Sequence, residues 1–138
     1  MSLFLDYARS TDLYRELCLS MDSPHGNLLE RTSDETAEAQ TEFLRWALML
    51  AAPRGIIETG TNKGMFAYFI SLVCPGAVVN THDVNQECEN QIAILNRHRC
   101  PPQAYFYLGD TRQRLYKRGP VDFAWIDGGH EFDVALSD

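Results

Sequence analysis

Several features that fix the class of a protein at a glance are missing from these 138 residues. No apolar run approaches the roughly 18 residues of a membrane span, and no signal-peptide pattern is visible. A cytoplasmic protein with no membrane partner is therefore expected. Cys18, Cys74, Cys88 and Cys100 form no CxxC pair and no short metal spacing. An even count alone does not make a disulfide framework in a chain of this length, so buried free thiols in a reducing compartment are expected. Basic residues are scarce, 12 Lys and Arg against 19 Asp and Glu, for a net charge of −7. A dedicated nucleic-acid binder needs clustered cations to neutralise phosphates, which argues against nucleic acid as a partner. The GxGxxG fingerprint of dinucleotide-binding folds is absent too.

What remains is ordinary globular composition, 45% hydrophobic and 22% charged. It reads as one domain over residues 1–138, with a helical and loop segment at 1–31 before a core at 32–138. A chain this long buries roughly two-thirds of its unfolded surface. Leu3 to Cys18 carries a loose helical pattern broken around Ser10 and Thr11, and Ser20 to Asn27 reads as loop holding a solvated His25. Thr32 with Glu35 forms a capping box. The helix it opens runs to Ala51, with Phe43, Ala47 and Leu50 beside Leu44, Leu48 and Ala51 on one broad apolar face, and Pro53 and Gly55 end it.

The chain then alternates. The short apolar β-branched run from Gly55, with Glu58 at its end, reads as a strand, Met65 to Val73 as a helix apolar nearly all round, and Ala77 to His82 as a second strand. Gln86 to Arg99 is a helix with Cys88, Ile92 and Leu95 on one face. Ala104 to Leu108 is a third strand, Thr111 to Arg118 a short helix or turn, and Val121 to Ile126 a fourth strand. This order predicts an α/β, Rossmann-like doubly wound parallel sheet with strand order 3-2-1-4 and N-terminal helices.

The chemistry lies in where the acids and glycines fall. In GIIETGTNKG, Glu58 ends the first strand and Gly60 and Gly64 bracket Thr61, Asn62 and Lys63. A strand, a glycine turn and a helix bring backbone and ligand together, but an acid before the first glycine suits a phosphate poorly. Glu58, Asp83, Asp110 and Asp127 each close a predicted strand, at the edge where open α/β sheets bind ligands. Each alone is as readily a helix cap or turn residue. Four at one edge repel one another unless something there uses them. Asp83 stands where an acid takes both ribose hydroxyls, and Asp110 where an adenine amino group can be met. His82 and His98 read as structural, and Arg112, Arg114, Lys117 and Arg118 as a solvated helix face.

The ExGxxxG pattern resembles the first motif of class I S-adenosylmethionine-dependent methyltransferases, whose glycine loop passes under the methionine part of the cofactor. WIDGGHEFDVALSD is similar to the fourth motif of small-molecule O-methyltransferases of the macrocin, mycinamicin and cephalosporin-hydroxylase-like group, roughly IDGxHxYxxVxxD, with Phe132 where Tyr is frequent. The resemblance covers about Thr32 to Asp138. It implies S-adenosylmethionine as cofactor, held by Glu58, Gly60, Thr61, Asn62, Gly64, Asp83, Val84, Gly109, Asp110, Thr111 and Asp127, and a small-molecule methyl acceptor. The same likeness makes Asp127 the catalytic or metal-ligating acid and gives the helix before the first strand a place over the cofactor cleft.

Mg²⁺ is thereby implied, although Asp127 alone cannot supply near-octahedral oxygen coordination. His130 is the candidate base because its ordinary pKa lies near neutrality, and it serves equally as a loop cap. The family fold has seven strands and this sequence supplies about four. A fragment carrying the cofactor half and lacking strands five to seven is expected, with the fourth strand left as an apolar edge open to homo-oligomeric pairing. Two rival readings remain, a degenerate, non-catalytic interaction module and a nucleotide-dependent oxidoreductase.

Overall fold

The computed structural model describes residues 2–22, 29, 35–97 and 99–127. Its elements are α1 (Leu3–Ser10), α2 (Asp12–Leu19), α3 (Glu35–Ala51), β1 (Gly55–Thr59), α4 (Met65–Val73), β2 (Val78–Asp83), α5 (Cys88–Asn96), β3 (Ala104–Leu108) and β4 (Phe123–Ile126). The four strands form one parallel sheet in the order β3-β2-β1-β4, as the alternation predicts. The predicted capping box and the histidines at 25 and 98 lie outside the described residues.

The sheet register decides which side chains share a face. Ile56, Val79, Ala104 and Phe123 are aligned across the strands, and so are Glu58, Thr81, Phe106 and Trp125. Side chains alternate along a strand, so these eight lie on one face. That face carries the core. Ile56, Val79 and Ala104 are buried there against Met65, Phe66, Phe69 and Ile70 of α4 and Ile92 and Leu95 of α5. Phe66 stacks on Trp125 with ring centres 5.0 Å apart.

The N-terminal helices add a further layer. Thr11 breaks α1 from α2 and caps α2, accepting from the Tyr14 N–H. Its hydroxyl also lies 2.7 Å from the Tyr68 hydroxyl of α4. On α3, Leu44 and Leu48 enter the core, whereas Phe43 and Leu50 are exposed. The single broad face read from sequence is therefore two faces, only one of them covered.

The opposite face of the sheet is held differently. The chain between β3 and β4 crosses it without forming a helix and is pinned by two β2 side chains. The Tyr116 N–H donates to His82 Nε2 at 3.0 Å, and the Arg118 N–H donates to Asn80 Oδ1 at 2.6 Å. His82, Tyr107 and Tyr116 stack in sequence, with Arg114 over Tyr116 and Arg118 over Tyr105. The basic cluster is thus no solvated helix face: two of its arginines lie on tyrosine rings and a third, Arg112, pairs with Asp110. Asp122, at the amino edge, accepts from the Arg54 and Gly55 N–H groups, and these bonds hold its carboxyl below the usual carboxylate range. The cysteines are free, but only Cys88 is buried; Cys18 and Cys74 are half-buried and Cys100 is exposed, so the expectation of buried thiols holds at one position of four.

Candidate functional site at the carboxyl edge of the sheet

β1 pairs with β2 on one side and β4 on the other, so the chain direction away from the first strand reverses beside β1. Such a switch point leaves a crevice outside the strand ends. Around it the structure brings together Glu58, the loop from Gly60 to Gly64, Asp83 and Asp127.

The glycine loop is built by backbone angles. Gly60, Asn62 and Gly64 have φ of 84°, 45° and 72°, a region that side chains with a Cβ resist. Its N–H groups are already engaged. Gly60 and Thr61 both donate to the His82 carbonyl, at 2.8 and 3.3 Å, and Gly64 donates to the Thr61 carbonyl at 2.8 Å. Asn62 donates to Asp83 Oδ2 at 3.0 Å. A phosphate cradle requires donors aimed outward, and here four loop N–H groups bond within the protein. The Lys63 side chain is buried.

Behind the loop stands Glu58, only 1% exposed. Thr81 bonds its carboxyl, while Oε2 has no partner among the described residues. Burial raises its pKa well above the ordinary value. The Thr81 bond opposes that shift, and the charges of Asp127 and Asp83 add to it. The Thr61 and Thr81 hydroxyls lie 2.6 Å apart, so Thr81 links the loop to the carboxyl. Thr81 was not among the site residues read from sequence. The available signal was the Asn-Thr-His run in a central parallel strand, where apolar residues are the norm.

Asp83 is half-buried and shapes its surroundings. Oδ2 accepts from Asn62 and Oδ1 from the Asn85 N–H at 2.9 Å. Cys88 lies against it on α5, its thiol pushed up to about 12 by burial, with Asp83 reinforcing the shift. Val84 follows, 73% exposed. Gly109 donates its N–H to the Asp83 carbonyl at 2.9 Å, which sets the end of β3 beside the end of β2. Asp110 is clamped by Arg112, whose Nε lies 2.9 Å from both carboxylate oxygens, and this bonding holds its carboxyl below the ordinary value. Thr111 opens the turn beyond it, half-buried. Asp127, exposed, is fixed beside β1 by its N–H bond to the Thr59 carbonyl at 3.0 Å. His130 lies outside the described residues, as do Glu131, Asp133 and Asp138. Among the described residues no group of three or more His, Cys, Asp or Glu could hold a metal ion, so the expected Mg²⁺ finds no support there. No described helix is long and apolar enough to cross a membrane.

Strand order, crossover pattern and switch-point crevice define a Rossmann-like α/β domain. Among solved structures the chain is similar to an O-methyltransferase from Bacillus cereus, crystallised in complex with SAH. The TM-score is 0.54 at 19% sequence identity, over 99% of this chain and 61% of that one. At that identity the likeness concerns the fold. No protein-family model matches the chain, and no curated protein matches it.

Proposed function

We propose that this chain binds S-adenosylmethionine at the carboxyl edge of its sheet. On this reading it carries the cofactor-binding half of a methyltransferase acting on a hydroxyl of a small molecule, in the subgroup the IDGGH stretch resembles. The observation that carries the reading is the pairing of an inward-bonded glycine loop with a buried, half-partnered Glu58. A pyrophosphate wants free donors and no anion behind them. A ligand with an ammonium and a sulfonium suits a site where Glu58, Asp83 and Asp127 repel one another. The neighbour's bound SAH supports the same choice.

Asp83 would take the ribose diol, since each carboxylate oxygen retains acceptor capacity beside its one backbone donor. Gly60 to Gly64 would lie along the amino-acid part of the cofactor. Gly109, Asp110 and Thr111 would border the adenine, whose amino group would meet an Asp110 already paired with Arg112. When bound, the cofactor supplies an electrophilic methyl group. The chain's own residues hold the acceptor in line and accept its proton, roles assigned here to Asp127 and His130.

Calorimetric titration with S-adenosylmethionine, S-adenosylhomocysteine and NAD tests the reading. Saturable binding of the first two and none of NAD is expected. No binding of either sulfur ligand by the folded chain would overturn it.

A further inference from the structure

Away from the site, the outer face of α3 is apolar and exposed. Phe43, Trp46, Met49 and Leu50 are 75%, 60%, 57% and 78% exposed, although Leu44 and Leu48 of the same helix are in the core. Ala39, Phe43, Trp46 and Leu50 follow a 4-3-4 spacing, the seam that packs one helix against another. At 3.6 residues per turn this seam lies nearly opposite the buried Thr41, Leu44 and Leu48. From Phe43 to Ala51 the helix is apolar on both sides apart from Arg45, a pattern proper to a helix covered on both sides. Arg45 is occupied, pairing with Glu42 and lying over the Phe4 ring of α1.

We propose that α3 is the interface of a two-fold symmetric dimer, its seam packing antiparallel against the same seam of a second copy. The seam is complementary to itself. With the axis between Phe43 and Trp46, the small Ala39 of one copy meets the large Leu50 of the other, and Phe43 meets Trp46. Symmetry then repeats both contacts, which makes the interface isologous and closed. No charged residue stands on the seam from Ala39 to Leu50, so pairing strips water from no ion. The antiparallel sense also sets the half of the helix bearing Glu38 and Glu42 against the partner's Arg54 end and opposes the two helix dipoles, whereas a parallel pair would align like with like. The four large exposed side chains offer on the order of 600 Å² of apolar surface per copy, at the upper end of what monomers expose. A standard interface needs about 800 Å² per partner; Ala39 on the seam and the exposed Gln40 and Ala51 on its flank enlarge the patch.

Sedimentation of the full chain from low to high micromolar concentration tests this, beside Trp46→Glu and Leu50→Lys. The expected result is a rise from 15.7 kDa to twice that mass for the parent, and a single 15.7 kDa species for both variants with unchanged circular dichroism. A parent that stays monomeric throughout would overturn the proposal, whatever else binds the face. Variants that still dimerise would also overturn it and move the contact to another surface, such as the edge of β4. Should the variants not fold, acrylamide quenching of the parent decides: Trp46 must become more protected as the mass doubles, and unchanged access rejects the interface.

Discussion

Replacing Glu58 with Gln removes a charge from the centre of the site while keeping the side chain's shape. Burial holds this carboxyl well above its ordinary pKa, and Asp127 and Asp83 push in the same direction. A carboxyl with a higher pKa folded than unfolded binds its proton more tightly in the folded state. Its contribution to stability is full below the unfolded pKa and is lost as pH rises through the folded one. Above that range the folded protein holds a buried carboxylate whose Oε2 has no partner among the described residues. Such a group costs on the order of 1–3 kcal/mol, and for a chain of this length each kcal/mol moves Tm by about 4 °C. Thermal unfolding followed by circular dichroism across pH should show parent and Glu58→Gln together in acid, below the unfolded carboxylate range. In mildly alkaline solution the variant should unfold several degrees higher. Parallel curves at all pH values would refute the burial argument. A cationic ligand works against the same penalty, so its binding should release a proton from the parent and none from the variant.

Three further outcomes follow from contacts in and around the sheet. Asp83→Ala removes the acceptor of the Asn62 and Asn85 N–H groups; it should cost about 1–2 kcal/mol in chemical denaturation, and Asp83→Asn, which keeps one acceptor, about half as much. Gly55→Ala would place a Cβ 1.8 Å from the Pro120 carbonyl oxygen; the strand must shift, and a loss of about 3 kcal/mol or no soluble protein is expected. Asn80→Ala frees the Arg118 N–H and removes a bond to the Ile56 carbonyl; amide exchange at 116–118 should accelerate while α4 amides stay protected, and uniform acceleration would mean that Asn80 holds the whole core instead.

Much of the fold could be read from hydrophobic period and punctuation. The apolar run Met65–Val73 and the aromatic run of β3 have the bounds the sequence suggests, because burial demands those residues and glycine, proline or polar turns close them, whereas β1 runs one residue past Glu58, Thr59 pairing with His82 and Ile126. Elsewhere tertiary contacts moved the bounds. Asp83 joins β2 because Leu108 pairs with it. α5 is shorter than predicted at both ends. Asn85 bonds the Glu87 N–H ahead of it, and the Arg99 N–H turns back to the Asn96 carbonyl behind it. Which side of α3 is covered was beyond reach, since Phe43 and Leu50 are as apolar as Leu44 and Leu48 and only the neighbouring α4 separates them. At the site, Glu58 and Asp83 stood out by position at strand ends. The Thr61–Thr81 link and the capture of loop N–H groups by β2 depend on contacts roughly 20 residues apart along the chain, which no local pattern displays.

The most direct test of the account is a two-dimensional NMR titration of the chain with S-adenosylhomocysteine, read residue by residue. Amide shifts are expected at Gly60–Gly64, at Asp83 and Val84 and at Gly109–Thr111, with the core of α4 unmoved. Shifts confined to the Arg114–Arg118 stretch, or none at saturating ligand, would contradict it.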